Sequence, residues 1–368
     1  MPAPPIPIKH ASRQMHARSR DSFNHSPMLV FYELTRACDL VCLHCRACAQ
    51  RYSDPNELST DLSKRLIKQL TEFPDPPMLI VTGGDPLKRP DIYELVEYAA
   101  ASEIPVSITP SVTPLLNRDS IRRLRDAGIA RVAISVDGDD AATHDANRGV
   151  QGSFDRSMEV LRTARELGVE TQINTTLTPA NVGQIEAMGD RFSQLDIALW
   201  SVFFLVPVGR ATTLERLCGE ACEQAFARLH RQSLIQPFLI KTTEAPHYRR
   251  YVMQHATKGA SPKRPAFVPA GVNDGKGVMF VSHTGEIYPS GFLPIDCGRF
   301  PSSDLVDVYQ NSPVFRMLRS SDQLQGKCRV CEFRNVCGGS RARAYAMTGD
   351  AMSEEPDCSY VPPAFVDN

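Results

Sequence analysis

Cys38, Cys42 and Cys45 lie close together in the sequence and form a C-x3-C-x2-C triplet, with Cys48 three residues further on. Thiolates are soft ligands that suit iron–sulfur clusters and zinc. Three thiolates on a four-iron cluster leave one iron without a protein ligand, whereas Cys48 would supply the fourth ligand that structural zinc usually takes. The spacing favours a cluster with one open iron and leaves zinc as the alternative.

A second group of cysteines lies near the C-terminus and comprises Cys328, Cys331, Cys337 and Cys358. The N-terminus lacks the apolar core of a secretory signal, so disulfides are disfavoured and metal binding is favoured. Four thiolates would ligate every iron of a four-iron cluster, which suits electron transfer or a structural role better than substrate binding. Zinc bound by the same four thiols is again the alternative.

The other cysteines give weaker signals. Cys218 and Cys222 are four residues apart on a predicted helix and share one face, so we expect them to be core residues. We expect Cys297 to be an ordinary thiol. Three arginines near the C-terminal cysteines, Arg334, Arg341 and Arg343, are expected to neutralise cluster charge or to bind carboxylates. Arg341 and Arg343 alternate with small residues, so a solvated face is the alternative for these two.

Six short apolar segments predict buried parallel strands. They are residues 28–34, 78–83, 106–110, 132–137, 171–177 and 200–206. Segments with helical spacing lie between them, at 62–73, 91–102, 118–128, 153–168 and 181–195. This alternation predicts an α/β fold of repeated βαβ units and, with six strands, a partial (β/α)6 barrel of the TIM type. The cysteine triplet follows the first strand, at the end where such barrels carry their active sites.

Four regions are predicted along the chain. Residues 1–27 are rich in Pro, Ser, His and Arg and predict a disordered N-terminal arm. The partial barrel takes residues 28–210, and a helical linker region takes 211–270. A smaller, metal-stapled domain takes 271–368 and begins with a hairpin at 277–291.

The triplet after the first strand is followed, at the end of the second strand, by a GGDP motif: Gly83, Gly84, Asp85 and Pro86. Together these motifs resemble the radical S-adenosylmethionine (SAM) superfamily, and the match runs over most of the chain. That family has GGEP or a close variant here, so aspartate replaces the usual glutamate. The resemblance implies that SAM binds the open iron and that the GGDP backbone and acid receive its amino group. Reductive cleavage of SAM would give a 5′-deoxyadenosyl radical, which abstracts hydrogen from the substrate.

The resemblance also implies further contacts with SAM. His44 would pack against the cluster or the adenine of SAM. Polar residues at the ends of the third to sixth strands would face the pocket, and they are Thr109, Ser111, Ser135, Asp137, Asn174, Thr175 and Arg210. A turn-capping role is the alternative for Asp137. Arg210 could instead meet a substrate carboxylate or lie on the surface.

The C-terminal cysteines resemble the SPASM/Twitch extension of the same superfamily, which carries auxiliary 4Fe–4S clusters. Ser340 takes the place of the last cysteine of an expected CGGC motif. Ser290 lies in the hairpin, where the first cluster ligand often lies. These departures imply one auxiliary cluster, held by the four C-terminal cysteines, instead of two. The segments GVMFVSHTGEIYPSG and CGGSRARAYAMTGD are similar to a subgroup of haem-pathway enzymes that includes the alternative haem synthase.

We therefore expect a radical SAM oxidoreductase or lyase that decarboxylates or removes a tetrapyrrole side chain in haem biosynthesis. A maturase of ribosomal peptides or of another cofactor is one alternative, and a non-enzymatic zinc-binding protein is another. An external one-electron donor such as flavodoxin or ferredoxin is expected. The 41 basic and 42 acidic residues give no sign of nucleic-acid binding. No apolar run approaches the roughly 18–20 residues of a membrane span, so a cytoplasmic location is expected.

Overall fold

The computed structural model describes residues 20–256 and 271–366, whose centre is one nine-stranded sheet. The strands are β1 (Leu29–Thr35), β2 (Met78–Gly83), β3 (Val106–Ile108), β4 (Arg131–Ser135), β5 (Thr171–Leu177), β6 (Leu199–Phe204), β7 (Leu239–Thr243), β8 (Val278–Val281) and β9 (Ile287–Tyr288). Their spatial order is β7-β6-β5-β4-β3-β2-β1-β8-β9. Neighbouring strands are parallel except β8 and β9, which form an antiparallel hairpin.

Helices alternate with the first six strands. They are α1 (Thr60–Leu70), α2 (Ile92–Ala101), α3 (Arg118–Asp126), α4 (Ala141–Arg148), α5 (Ser153–Glu166) and α6 (Ile185–Ser193). The spacing of apolar residues predicts these helices because each helix buries one apolar stripe. In α1 the stripe contains Leu66, Ile67 and Leu70, which belong to the main hydrophobic core. The six predicted strands, the five predicted helices and the partial α/β barrel are confirmed.

Helix α4 is absent from the sequence prediction, although its ends carry clear signals. The Asp140 side chain accepts a hydrogen bond from the Thr143 amide at 2.8 Å and caps the N-terminus. Gly149 ends the helix with a φ of +69°, in the left-handed conformation that glycine adopts readily. The helix is only two turns long and carries few apolar residues, so its hydrophobic pattern is weak.

The region 211–270 differs from the predicted helical linker. It contains α7 (Glu220–Ile235) and α8 (His247–Gln254), but strand β7 lies between them and pairs with β6, with Trp200 opposite Ile240. The barrel sheet therefore has a seventh parallel strand, which lies within the predicted linker region. Residues 257–270 lie outside the described residues.

The predicted hairpin at 277–291 is present as β8 and β9, and it extends the barrel sheet. Strand β8 pairs in parallel with β1, with Val278 opposite Leu29, and so satisfies the backbone groups at that edge. The remaining helices are α9 (Leu305–Asn311), α10 (Pro313–Arg319), α11 (Gly326–Val330), α12 (Arg341–Thr348) and α13 (Pro363–Val366). The C-terminal residues thus share a sheet with the barrel, and a domain boundary at 271 stays a prediction.

The predicted disordered arm falls largely on residues 1–19, which lie outside the described residues. Its last part is ordered: residues Arg20–Asn24 form a 3-10 helix, and the Phe23 side chain is buried. Phe23 clusters with Met28 and Val272, and its carbonyl accepts a hydrogen bond from the Tyr309 hydroxyl at 2.8 Å. Apolar burial therefore anchors this segment beside β8.

Candidate functional site

Cys38, Cys42 and Cys45 line one cavity at the C-terminal ends of the barrel strands. Each sulfur has a hydrogen-bond donor nearby: the Leu40 amide is 3.3 Å from Cys38 Sγ, the Ala49 amide is 3.4 Å from Cys45 Sγ, and an Arg148 nitrogen is 3.8 Å from Cys42 Sγ. Such donors stabilise thiolates and the cluster that they would hold.

Cys48 differs from the three cysteines of the triplet in its backbone conformation and in its exposure. It is exposed, has a φ of +47°, and is not among the residues that line the cavity. The Arg36 side chain closes the loop beneath it by donating to the Ala47 carbonyl at 2.7 Å. The geometry therefore assembles three cysteines and leaves the fourth outside.

Gly83 and Gly84 let the end of β2 approach the start of the cysteine loop. A Cβ on Gly84 would lie 2.3 Å from the Ala37 carbonyl oxygen, and one on Gly83 would lie 2.2 Å from the Thr35 carbonyl oxygen. The Gly84 amide donates to Thr35 at 2.8 Å, so this donor is already used within the protein. Both glycines line the cavity.

Asp85 and Pro86 do not line the cavity, unlike the two glycines before them. The buried Asp85 carboxylate accepts hydrogen bonds from Thr113 Oγ1 at 2.8 Å and from the Leu87 amide at 3.2 Å. Burial raises the pKa of this carboxyl group. The expectation that Asp85 receives the amino group of SAM is not supported by the geometry, because its carboxylate holds the turn together.

Six of the other predicted contact residues line the cavity; they are His44, Thr109, Ser111, Ser135, Asn174 and Arg210. Thr175 does not. Its hydroxyl donates to the Val136 carbonyl at 2.6 Å and accepts from Trp200 Nε1 at 2.9 Å. The side chain of Thr175 is therefore part of the packing between β5 and β6 and does not face the cavity in which SAM is expected.

Asp137 also lies outside the cavity lining, directly behind it. Its Oδ2 is 2.6 Å from an Arg148 nitrogen and 3.7 Å from His44 Nε2, and its Oδ1 accepts from the Thr176 amide at 2.8 Å. Burial opposes ionisation, but Arg148 and His44 outweigh it and lower the pKa of Asp137. Asp137 thus orients two residues that face the cavity.

Arg148 and His144 line the cavity, and both were missed in the sequence because α4 was missed. The Asp137 amide donates to His144 Nδ1 at 3.1 Å. Burial lowers the pKa of His144 to about 4, so the ring is neutral at pH 7 and its proton lies on Nε2. His144 can therefore donate one hydrogen bond from Nε2.

Arg210 provides free hydrogen-bonding capacity in the cavity wall. Its amide donates to the Cys45 carbonyl at 3.1 Å, which fixes it beside the triplet. Its Nε and Nη2 atoms are buried and have no hydrogen-bond partner among the residues that the structure describes. Since buried polar groups are normally paired, these donors fit a carboxylate ligand.

The cavity also has an aromatic part that was missed in the sequence. Phe203 and Phe292 line the cavity with ring centroids 6.3 Å apart. Arg46 also lines it; its guanidinium lies 4.7 Å from the centre of the Phe280 ring and 2.8 Å from a Glu33 oxygen. The cavity therefore combines three cysteines, aromatic surface and cationic side chains.

Comparison with known proteins identifies the family. The radical SAM superfamily model matches residues 32–191. The AdoMet-dependent heme synthase of Nitratidesulfovibrio vulgaris is 39% identical over 91% of this chain and 92% of that protein. Its counterpart in Methanosarcina barkeri is 36% identical over 93% and 99% of the two chains. The chain belongs to the radical SAM superfamily.

Fold comparison agrees with this assignment. The structure of Streptococcus suis SuiB bound to S-adenosylmethionine matches with a TM-score of 0.68 and 18% identity, over 94% of this chain and 80% of that one. As a radical SAM enzyme, the protein uses a 4Fe–4S cluster and SAM, and the three cysteine sulfurs with hydrogen-bond donors beside them fit the cluster. The zinc-binding alternative for the whole protein is therefore wrong.

The C-terminal cysteines of this radical SAM enzyme also converge. Cys328, Cys331, Cys337 and Cys358 line a second cavity. The Gly339 amide donates to Cys337 Sγ at 3.4 Å. Within residues 20–256 and 271–366, no three His, Cys, Asp or Glu side chains are grouped closely enough to hold a single metal ion. The four C-terminal cysteines therefore face one cavity.

The other cysteines and the two diagnostic serines have other contacts. Cys297 Sγ donates to the Ile295 carbonyl at 3.4 Å and lies outside the C-terminal cavity. Cys222 is buried in the core as predicted, whereas Cys218 is exposed. Ser340 caps α12, and Ser290 Oγ accepts from the Phe292 amide at 3.3 Å.

Arg341 and Arg343 are almost fully buried, so the predicted alternative of a solvated face is wrong for them. Arg343 lies 3.0 Å from oxygens of Glu355 and Asp357 and donates to the Leu205 carbonyl at 3.3 Å. This side chain joins the C-terminal residues to the end of β6. Arg334, by contrast, is partly exposed and lines the C-terminal cavity.

Among the described helices, none is long and apolar enough to cross a membrane.

Proposed function

We propose that the protein decarboxylates a carboxylate side chain of an iron tetrapyrrole in haem biosynthesis. The observation that carries the proposal is Arg210, whose buried Nε and Nη2 atoms lack partners among the described residues. The similarity to AdoMet-dependent heme synthases over more than nine-tenths of the chain supports the tetrapyrrole as the substrate class.

The cavity lining supplies the recognition chemistry that this substrate needs. Phe203, Phe292 and Val206 offer apolar surface to a flat macrocycle, and Arg210 pairs with one of its carboxylates. Arg148 is already paired with Asp137, and Arg46 with Glu33, so Arg210 has the largest unused hydrogen-bonding capacity. The carboxylate is thereby fixed beside the cysteine triplet, next to the position of SAM.

A cluster held by Cys38, Cys42 and Cys45 would, together with SAM, supply a 5′-deoxyadenosyl radical able to abstract one hydrogen atom from the carboxylate side chain of the substrate. The side chain then releases CO2 and passes one electron to a one-electron carrier, and a vinyl group remains in its place. The residues around it hold the carboxylate and exclude water during this sequence. A carrier such as flavodoxin or ferredoxin serves as the external electron donor for SAM cleavage.

We further propose that the four C-terminal cysteines hold one auxiliary 4Fe–4S cluster in a SPASM/Twitch-type region, residues 271–368. Their convergence on one cavity supports this ligand set. Because all four ligands are thiolates, this cluster serves electron transfer or structure and leaves substrate binding to the barrel cavity.

The test combines anaerobically reconstituted protein, SAM and dithionite with iron coproporphyrin, and follows the porphyrin by mass spectrometry. We expect each reacted side chain, counted as the neutral acid, to lose one CO2 and two hydrogens. An unchanged porphyrin, with 5′-deoxyadenosine formed only when a precursor peptide is supplied, would favour the peptide-maturase alternative.

The variant Arg210→Gln separates substrate recognition from SAM recognition. Loss of a charge-assisted hydrogen bond should lower porphyrin turnover about 10- to 100-fold, with substrate-free SAM cleavage unchanged. Arg165→Gln is the matched control, since Arg165 is 56% exposed and lies on α5 outside the cavity lining. An equal loss of SAM cleavage in the Arg210 variant would assign this arginine to SAM.

A further inference from the structure

His247, the first residue of α8, is a fully buried side chain that points into the C-terminal cysteine cavity. It is 0% exposed and lines this cavity with Cys328 and Cys337. Neither Nδ1 nor Nε2 has a hydrogen-bond partner in the part of the chain that the structure describes. Two unpaired nitrogens on one buried ring are unusual, because buried polar groups are normally paired.

The surroundings of His247 contain little that can accept its proton. The Phe226 ring packs edge-on against the imidazole, with centroids 4.8 Å apart. Arg250 and Lys327 line the same cavity, but both are cationic donors. The Glu355 carboxylate accepts instead from Arg343 and from the Ser340 amide.

The group that fits is a hydrogen-bond acceptor inside the cavity. An imidazole carries at least one N–H in either of its ordinary protonation states. The sulfur atoms of an iron–sulfur cluster accept such hydrogen bonds, and these bonds help to set the reduction potential. The four cysteines already provide a complete set of ligands, so His247 is not needed on iron.

We propose that His247 donates a hydrogen bond to a sulfur of the C-terminal cluster and thereby raises its reduction potential. The inference rests on the proposed auxiliary cluster. The imidazole is a positioning and tuning residue, and it acts through the cluster without touching the substrate.

The experiment uses the full chain with Cys38, Cys42 and Cys45 changed to Ser, so that only the C-terminal cluster remains. This parent protein should contain about four irons, and its midpoint potential is measured by EPR-monitored redox titration. Zinc, or no metal, in this parent would overturn the auxiliary cluster itself, which separates failure of the proposed cluster from failure of the role of His247.

In this parent, His247→Leu should shift the midpoint potential to a more negative value, because the donor is lost. His247→Gln should recover part of the shift, since its amide can donate. His230→Leu is the control: His230 also has an unpaired ring nitrogen but lies outside the cavity lining, and it should leave the potential unchanged.

Equal potentials for the parent and His247→Leu would overturn the proposal. A strong nitrogen hyperfine coupling that disappears in His247→Leu would also overturn it, because His247 would then be an iron ligand. If His247→Leu does not accumulate as folded protein, His247→Gln and the hyperfine spectrum of the parent still decide between a hydrogen bond and ligation.

Discussion

Replacing Gly84 by alanine should disrupt the site of the SAM-binding cluster while leaving the rest of the fold in place. The new Cβ would lie 2.3 Å from the Ala37 carbonyl oxygen, whereas non-bonded heavy atoms usually stay about 3.5 Å apart. The carbonyl oxygen belongs to the backbone and the Cβ is bonded directly to Cα, so neither can turn away. The backbone around Ala37, immediately before Cys38, must therefore move by about 1 Å.

The cost can be worked out from the contacts at this position. Overpacking of this kind costs about 1–3 kcal/mol. The displacement also weakens the hydrogen bonds from Gly84 to Thr35 and from Asp85 to Ala37, of 2.8 and 2.7 Å, each worth about 1 kcal/mol. Together these give about 3–5 kcal/mol, concentrated where the cysteine triplet begins.

The assay is the iron content after anaerobic reconstitution, together with EPR spectra recorded with and without SAM. Gly84→Ala should lose about four irons per chain relative to the parent and should no longer cleave SAM. The control is Gly183→Ala, because a Cβ on Gly183 would have nothing within 4 Å. Parent-like iron content and SAM cleavage in Gly84→Ala would show that the backbone can accept a Cβ at this position without losing the cluster.

Two stability predictions concern buried hydrogen bonds and charge. Burial alone raises the pKa of Glu355, but Arg343 outweighs it and lowers the pKa to about 2. The ionised carboxylate therefore adds to the free energy of unfolding above pH 4.5, and this contribution is lost as the pH falls towards 2. Glu355→Gln should lower the free energy of unfolding by about 3 kcal/mol at pH 7 and by about half of that at pH 3. Urea unfolding followed by Trp200 fluorescence, with metal-free protein at acid pH, measures the difference in free energy of unfolding between the parent and Glu355→Gln. A difference that does not change with pH would contradict the prediction. Thr175→Val leaves Trp200 Nε1 without its acceptor and should cost about 1–3 kcal/mol without changing SAM affinity; calorimetric SAM titration checks the second part, and weaker SAM binding at unchanged stability would count against it.

The polar residues of β5 show which features of the site the sequence pattern predicts and which it does not. Asn174 and Thr175 were both expected to face the pocket, but successive side chains on a strand point to opposite faces. Asn174 and Thr176 line the cavity, whereas Thr175 bonds to Trp200 behind it. The apolar run identified the strand correctly, and only the folded sheet decided which polar residues face the cavity.

Distant contacts were beyond the sequence patterns. The pairing of β8 with β1 joins residues about 250 positions apart, and no local pattern marks it. The burial of Arg343 likewise depends on where α12 packs against the end of β6, because this side chain donates to the Phe204 carbonyl. Alternating arginines and small residues fit a solvated surface equally well until that packing is known.

The sequence by itself determined the cysteine motifs, the six barrel strands and five of the helices, because spacing and hydrophobic period are local properties of the chain. Tertiary structure decided that Cys48 stays outside the site, that Asp85 holds a turn, and that Arg148 reaches Cys42. Each of these depends on the direction of a side chain after burial has fixed the backbone. The spacing of the cysteine triplet thus indicated the chemistry, and the packing around the triplet determined which side chains face it.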